Sequence, residues 1–517
     1  MTDNSGKNGV LLVSGRLLAR NTVLNLVGNV GPMAVALVAI PLLIRGVGTD
    51  RFGVLVIAWM VVGYFTLFDM GIGRATTKFV AERLALGAVE DLPQLIWTSI
   101  AMMAGFGTVG GLVFAGVTPL MVTRLLNIPP PLEAECLLSF YLLALSIPVV
   151  LTTIGIRGVL EAQQRFAVIN AIRVPANSAN YLLPLLALPF SDSLFAIVSL
   201  LVAGRLVVFL VYLYFCLGSL PGGGRPVRPD MGRVKELLGF GAWLTVSNVI
   251  SPLMTYIDRF VIGAMLTMSA VAYYATPYEI VTKLWVIYAS MMVVLFPAFS
   301  AYAAVNRDEL PGLQDRAIMY MLLFYTPVVV VVIAMAEPFL GVWLGGEFAE
   351  RSTLVMQILG VGVLVNAVGA VPYHVIQAMG RADLTAKCHM VELPLYLAMI
   401  WFFVSHMGIN GVAIAWMLRL ILDTSLWIWF SARLLPESGE RLPSRMVPRF
   451  LASGLALSAS VFLAGLSSLS LRIALLAGML LVMTGVSLRY GLTSPERSFL
   501  RQVVLRMTGR KETCTSW

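Results

Sequence analysis

Apolar runs of about 20 residues recur through most of the 517-residue chain, and short polar segments separate them. A run of this length is long enough to cross a bilayer as an α-helix. Inside a bilayer every backbone polar group must bond within the protein, which excludes open sheets and lipid-exposed loops. Charged residues make up only 12% of the chain, about half the share of a soluble domain. The sequence therefore predicts an all-α polytopic membrane protein.

We count about fourteen transmembrane helices, arranged as two six-helix lobes followed by two further helices. The predicted lobes are residues 1–220 and 237–435, and a Gly- and Pro-rich cytoplasmic linker at 221–236 joins them. Residues 436–490 hold the two additional helices, and 491–517 form a cytoplasmic tail. The predicted spans are 22–44, 52–73, 95–119, 137–156, 168–190, 194–218, 237–264, 271–300, 317–344, 353–378, 388–406, 410–434, 449–468 and 470–489.

A weak internal repeat supports the two lobes. Asn29 and Pro32 in the first span have counterparts in Asn248 and Pro252 of the seventh. We interpret these four as hinge or lobe-repeat positions, although a packing role for asparagine between helices is equally consistent with the pattern. Because six is an even number of crossings, both lobes are expected to have the same orientation.

The basic residues predict the orientation of the chain. Most of the 36 Lys and Arg residues fall in segments on the same side of the membrane as the N-terminus. The positive-inside rule therefore places both termini in the cytoplasm. The formal charge of +9 is spread over these short segments, so the sequence predicts no nucleic-acid partner. Five basic residues are assigned to the opposite side: Arg45, Arg51, Arg124, Arg351 and Arg472.

Several charged residues interrupt the apolar runs, most densely in the central hairpin at 240–303. A charge at membrane depth costs about 2.5–3.5 kcal/mol, so such residues usually face a bundle interior or a water-filled cavity. Glu279 and Lys283 lie one helical turn apart, as an ion pair requires, and Arg419 and Asp423 repeat this spacing. Each pair is either a bridge that holds its helix against its neighbours or part of a cavity lining. Asp258 and Arg259 are adjacent, so we expect them to point apart.

Short motifs in this hairpin resemble those of a known family. The runs 258–263 (DRFVIG), 272–274 (AYY) and 297–299 (PAF) resemble the central hairpin of polysaccharide exporters, the Wzx-type O-antigen flippases. The runs 51–53 (RFG) and 68–74 (FDMGIGR) resemble the second helix of that family. The family belongs to a superfamily that also contains the lipid II flippases and the MATE antiporters.

The resemblance implies a flippase that translocates undecaprenyl-pyrophosphate-linked oligosaccharide across the bacterial inner membrane. Alternating access of the two lobes would serve the synthesis of surface polysaccharide, such as lipopolysaccharide O-antigen or exopolysaccharide. The implied partners are the lipid-linked substrate, membrane lipids, H⁺ or Na⁺, and polysaccharide polymerase and chain-length proteins.

A pyrophosphate head group needs cationic and hydrogen-bonding side chains. The predicted head-group residues are the cations within the membrane, Arg205, Arg259, Lys283 and Arg419. The predicted ion-coupling or cavity carboxylates are Asp69, Asp258, Glu279, Glu392 and Asp423.

Two transporter classes and one enzyme class remain as alternatives. A lipid II flippase would account for fourteen spans, but its arginine-rich first helix is missing, since 21–44 carries no charge. A MATE-type cation or drug antiporter should have an acidic cavity, against which the four membrane cations argue. A polysaccharide polymerase or ligase would need a large outer loop with clustered Arg and His. The three histidines are scattered, and neither a phosphate-binding loop nor a Cys/His metal spacing occurs. We therefore predict no enzyme activity, no cofactor and no metal.

Overall fold

The computed structural model describes residues 15–67, 72–87, 89–219, 227–230, 232, 234, 253–435 and 442–486. All regular structure in these ranges is helical, which confirms the all-α fold. Among the described helices, seven are long and apolar enough to cross a membrane. The number becomes eight if Met268–Met292 and Leu295–Val305, which meet at a 43° bend, form one span. The count of fourteen spans stays a prediction.

Fifteen α-helices occur in the part of the chain that the structure describes. They are α1 (Gly15–Val47), α2 (Thr49–Leu67), α3 (Ile72–Ala85), α4 (Leu92–Leu120), α5 (Pro130–Ala162), α6 (Phe166–Ala187), α7 (Leu194–Leu217), α8 (253–265), α9 (Met268–Thr282), α10 (Trp285–Val305), α11 (Leu310–Leu344), α12 (Gly346–Ala378), α13 (Ala382–Leu434), α14 (Leu442–Ala464) and α15 (Leu469–Val486). Proline occupies one of the first two positions of α4, α5 and α11, where its missing N–H costs no helical hydrogen bond.

The chain forms two compact units, residues 1–272 and 273–517. The predicted lobes at 1–220 and 237–435 and the linker between them stay predictions. In the N-terminal unit a core of fully buried side chains joins α3, α4, α5 and α7; examples are Val80, Leu95, Val159 and Cys216. Burial of these apolar side chains holds α7, the helix that carries Arg205, in place.

The turn between α8 and α9 is hydrogen-bonded to the rest of the N-terminal unit. Asn127 Nδ2 donates to the carbonyl oxygen of Leu266 at 2.8 Å, and the Ser269 N–H donates to Asp50 Oδ1 at 3.0 Å. At Gly53 the backbones of α2 and α9 come so close that a Cβ would lie 1.8 Å from a carbonyl oxygen. Only glycine fits such an approach, so this position fixes how α2 packs on the hairpin.

In the C-terminal unit, α15 is anchored to α11 by a buried arginine. The Arg472 side chain is only 7% exposed, and its Nη1 lies 3.3 Å from Glu337 Oε2. Its Nη2 donates to the carbonyl oxygen of Leu466. Arg472, which the positive-inside rule assigned to the side opposite the termini, lies in the first turn of α15, where Glu337 balances its charge; the side of the membrane stays a prediction. Apolar contacts among Val330, Ala334, Leu463 and Leu476 complete this packing.

The long helix α13 consists of two helices that meet at Gly408. Gly408 has φ 55° and ψ −137°, a conformation outside the helical region. Glycine adopts a positive φ without the steric cost that a Cβ brings, so the chain changes direction here with no separate loop. The break lies between the predicted spans 388–406 and 410–434, as the sequence indicated. It brings residues near 390 close to residues near 420.

Candidate functional site

The predicted charged residues of the hairpin form two separate pairs, one in each unit. In α8, Asp258 and Arg259 are 0% and 2% exposed. Arg259 Nη1 lies 3.3 Å from Asp258 Oδ1 and donates to the carbonyl oxygen of Thr255 at 2.9 Å. The expectation that these neighbours point apart was therefore wrong, because the long Arg259 side chain curls back along the helix to its own neighbour.

The second pair lies where α9 ends. Lys283 Nζ is 3.1 Å from Glu279 Oε2, as the four-residue spacing predicted, and both side chains are about two-fifths exposed. Lys283 itself lies in a short turn before α10 begins at Trp285. The predicted span 271–300 is therefore not one regular helix. This pair is more accessible than the pair in α8.

Arg205 occupies the middle of α7, among largely apolar neighbours. Its Nη1 atom is buried and has no hydrogen-bond partner within the described part of the chain. A buried guanidinium nitrogen without a partner is costly, so Arg205 is one of the side chains for which an anionic ligand would supply the missing acceptor.

A polar cluster lies in the C-terminal unit, between the two halves of α13. The first half supplies His389, Glu392 and Tyr396, which repeat at helical spacing on one face. The second half supplies Arg419 and Asp423. Because Gly408 turns the chain back, these two faces meet. We refer to these five residues as the α13 cluster.

Distances within the α13 cluster are short. His389 Nδ1 lies 2.9 Å from Glu392 Oε2, and Arg419 Nε lies 3.6 Å from Glu392 Oε1. One ring nitrogen of His389, one carboxylate oxygen of Glu392 and one carboxylate oxygen of Asp423 lie within 4.8 Å of one another. The Arg419 guanidinium also stacks over the Tyr396 ring at 5.0 Å. Arg419 therefore has its ion-pair partner on the other half of α13, and the interpretation as a pair along one helix face is incomplete.

Aromatic side chains enclose this cluster on the α12 side. Tyr373 of α12 contacts His374 at 5.3 Å and Trp427 at 5.6 Å between ring centroids, and Trp427 contacts His389 at 5.6 Å. His389 and His374 are thus linked through Tyr373, although the sequence shows them as scattered. The available signal was the spacing of His389, Glu392 and Tyr396, which places all three on one helical face.

The remaining predicted residues add little to the site. Pro32 is buried in α1, which also contains Asn29, whose side chain lies outside the described part. Asp69, Asn248 and Pro252 lie outside the described residues. Their roles stay predictions.

Comparisons with known proteins agree with the resemblance in the motifs. A family model described as "Polysaccharide biosynthesis protein" matches residues 18–303. The chain is 30% identical over 420 residues to a putative O-antigen transporter of Shigella flexneri, which covers 81% of this chain and 98% of that protein.

Two solved structures have the same fold. One is the lipid II flippase MurJ in an inward closed conformation, with a TM-score of 0.70 at 11% identity over 91% of this chain and 99% of that chain. The other is the inward-facing conformation of a multidrug resistance MATE family transporter of the MOP superfamily. Its TM-score is 0.67 at 13% identity, over 78% of this chain and 97% of that chain. At such identities these likenesses show the fold alone. The family match and the O-antigen transporter relative show that this chain belongs to the polysaccharide biosynthesis protein family.

Proposed function

We propose that this protein is a flippase that translocates undecaprenyl-pyrophosphate-linked oligosaccharide across the bacterial inner membrane for surface polysaccharide synthesis. The observation that carries the proposal is the likeness to an O-antigen transporter over 98% of that relative's length. The chain also has the fold of a protein named as a lipid II flippase, so the fold is compatible with the proposal. The Shigella flexneri relative is named as a transporter, which agrees with a transporter and not an enzyme.

Arg419 is the strongest of the four proposed head-group residues. It is a guanidinium in a buried polar cluster, and guanidinium groups bind phosphate oxygens in bidentate geometry. Lys283 is half-exposed and forms an ion pair with Glu279, so it suits a position where the head group first binds. Arg205 offers a buried nitrogen without a partner. Arg259 contributes least, since Asp258 already balances its charge.

The proposed transport mechanism follows from the proposed architecture. Two six-helix lobes would rock about hinge positions that include Asn29, Pro32, Asn248 and Pro252, exposing the head group first to the cytoplasm and then outside. Both termini would be cytoplasmic. Coupling to H⁺ or Na⁺ would use carboxylates among Asp69, Asp258, Glu279, Glu392 and Asp423. A polymerase and chain-length proteins would take up the product.

The proposal is tested in a bacterial host that lacks its own O-antigen exporter. We expect the intact gene to restore surface polysaccharide, measured by blotting, and Arg419→Ala to abolish it at an equal amount of protein in the membrane. Lys283→Ala and Arg205→Ala should lower it less. The matched control is Arg124→Ala, because Arg124 is exposed and distant in sequence from the proposed site.

The possible results separate the alternatives. If the Arg419→Ala variant still restores surface polysaccharide, the proposed head-group site is contradicted while the flippase function stands. Rescue of a strain depleted of its lipid II flippase, without rescue of surface polysaccharide, would favour a lipid II flippase. Raised resistance to cationic drugs as the only phenotype would favour an antiporter of the MATE type.

A further inference from the structure

A row of polar side chains follows one face of α12, which is otherwise an apolar helix. Residues 352–380 contain no Asp, Glu, Lys or Arg, and α12 packs against α10, α11 and α13. Asn366, Tyr373 and Gln377 are seven and four residues apart, so they share one face, and His374 lies beside them. We refer to these four residues as the α12 stripe. The stripe extends for about 16 Å along the helix axis.

The α12 stripe differs from a polar side chain that holds two helices together. Gln357, on the opposite face of α12, donates to the carbonyl oxygen of Ile333 in α11 at 3.0 Å. In the part of the chain that the structure describes, no member of the stripe is hydrogen-bonded to another helix; His374 Nδ1 donates to Ala370 in its own helix at 2.6 Å. Every member is also partly exposed. Because polar groups at membrane depth are directed into a bundle or a water-filled cavity and not into lipid, the stripe lines a cavity.

Aromatic rings of α10 and α13 pack against the α12 stripe. Phe296 of α10 is 37% exposed, and its ring centroid lies 6.0 Å from that of His374. Trp427 of α13 lies 5.6 Å from the Tyr373 ring, and the Tyr373 and His374 rings meet edge to face at 5.3 Å. Aromatic rings beside amide and hydroxyl groups suit a sugar, which has apolar C–H faces as well as hydroxyl groups.

The α12 stripe offers donors and acceptors but no charge. Because the Ala370 carbonyl oxygen can only accept, Nδ1 carries the His374 hydrogen, and Nε2 of the neutral ring is an acceptor. The amide groups of Asn366 and Gln377 can each donate and accept. A carboxylate lies nearby, since Asp423 of α13 is close enough to the Tyr373 hydroxyl to interact with it electrostatically. An uncharged sugar therefore fits this surface, whereas the carboxylate of a uronic acid would be repelled.

We infer that the α12 stripe binds uncharged sugar residues of the lipid-linked substrate and thereby selects which oligosaccharide is exported. This inference rests on the proposed flippase function and adds a sugar site to its head-group site. Arg419 lies one turn before Asp423 on α13, so a pyrophosphate bound by Arg419 would bring the attached sugar close to Tyr373. The stripe then bonds to sugar hydroxyl groups, and the Phe296 ring packs on an apolar sugar face.

The test compares lipid probes that carry different groups on the same pyrophosphate. The reference is undecaprenyl pyrophosphate capped by a methyl group, which has the same charge as a lipid linked to an uncharged sugar. The other probes carry N-acetylglucosamine, galactose or glucuronic acid. Binding to the purified full-length protein in lipid nanodiscs is followed by fluorescence of Trp427, whose ring lies 5.6 Å from that of Tyr373, after subtraction of a Trp427→Phe sample.

The expected result is a preference for uncharged sugars. Two or more additional neutral hydrogen bonds should make at least one of the two uncharged sugar probes bind about tenfold more tightly than the methyl-capped reference. The glucuronic acid probe should bind no more tightly than the reference, because its carboxylate meets Asp423 and acceptors of the stripe.

Substitutions within the stripe should remove this preference. His374→Phe keeps an aromatic ring without the Nε2 acceptor, and Asn366→Leu and Gln377→Met keep the volume without the amide. Each should lower the preference about threefold to tenfold and leave binding of the methyl-capped reference unchanged. The matched control Gln357→Met, on the opposite face of α12, should keep the full preference. Arg419→Ala should weaken binding of all probes by the same factor.

The outcomes separate the sugar site from the proposed function. Equal affinity of the unmodified protein for the reference and both uncharged sugars, or stripe variants that all keep the preference, overturns the inference while the flippase function stands. If the unmodified protein binds no lipid probe, the proposed function fails, and free lactose at millimolar concentration then tests the stripe by itself. Quenching of Trp427 that is lost in His374→Phe and kept in Gln357→Met supports the sugar site, and the absence of quenching overturns it as well.

Discussion

The charges of α8 and of the α13 cluster are both buried within apolar helices, but they are bonded very differently. In α8, one carboxylate and one guanidinium contact each other, and Arg259 also bonds to the backbone. In the α13 cluster, Glu392 lies beside both His389 and Arg419, and Glu392 Oε1, Asp423 Oδ1 and Arg419 Nε have no hydrogen-bond partner among the described residues. The first pair balances its own charge, whereas the second has polar atoms without hydrogen-bond partners among the described residues.

This difference separates structural from functional charges. A buried ion pair that satisfies itself keeps a helix in place but has nothing left to offer a ligand. A cluster with unused donors and acceptors destabilises the fold, and binding of a proton or a ligand there stabilises it. The stability of variants in each region should therefore respond in opposite directions, and the half-exposed pair of Glu279 and Lys283 provides a third case.

The largest effect is expected in α8. Asp258→Ala removes the carboxylate that balances the buried Arg259 charge, which should lower the free energy of unfolding by about 3–5 kcal/mol. Thermal unfolding of the purified protein, followed by tryptophan fluorescence, measures this loss. The double variant Asp258→Ala/Arg259→Met removes both charges and should recover most of the stability. A single variant as stable as the unmodified protein would show that the pair is not the closed unit described above.

A smaller effect of opposite sign is expected in the α13 cluster. Asp423→Asn removes one of two neighbouring negative charges, which should raise the free energy of unfolding by about 1 kcal/mol at pH 8. A loss as large as the one predicted for Asp258→Ala would mean that the two regions have the same structural role.

The smallest effect is expected at the turn between α9 and α10. Glu279→Gln breaks a pair whose side chains are 42% and 41% exposed, so the free energy of unfolding should change by less than about 1 kcal/mol. High salt should reduce the effect further, because solvent screens exposed charges. If this variant unfolds as easily as Asp258→Ala, exposure would not be the property that ranks the three sites.

The helices and most residues of the candidate site were predictable, but the bonding between them was not. The break at Gly408 fell between two predicted spans because glycine interrupts an apolar run there. The spacing of Glu279 and Lys283 correctly predicted their contact. By contrast, the bond between the adjacent Asp258 and Arg259 depends on a side-chain rotamer that spacing does not reveal. The burial of Arg472 depends on Glu337, which lies more than a hundred residues earlier in the chain.

The all-α class and the charges buried in apolar runs follow from the sequence alone, because a bilayer allows an isolated segment only one way to bond its backbone. Which charges meet was decided by tertiary structure. Glu392 and Arg419 lie on two helices whose faces come together only after the chain reverses at Gly408. A contact of this kind depends on the angle and rotation of both helices, and these are set by packing against α12 and not by local sequence.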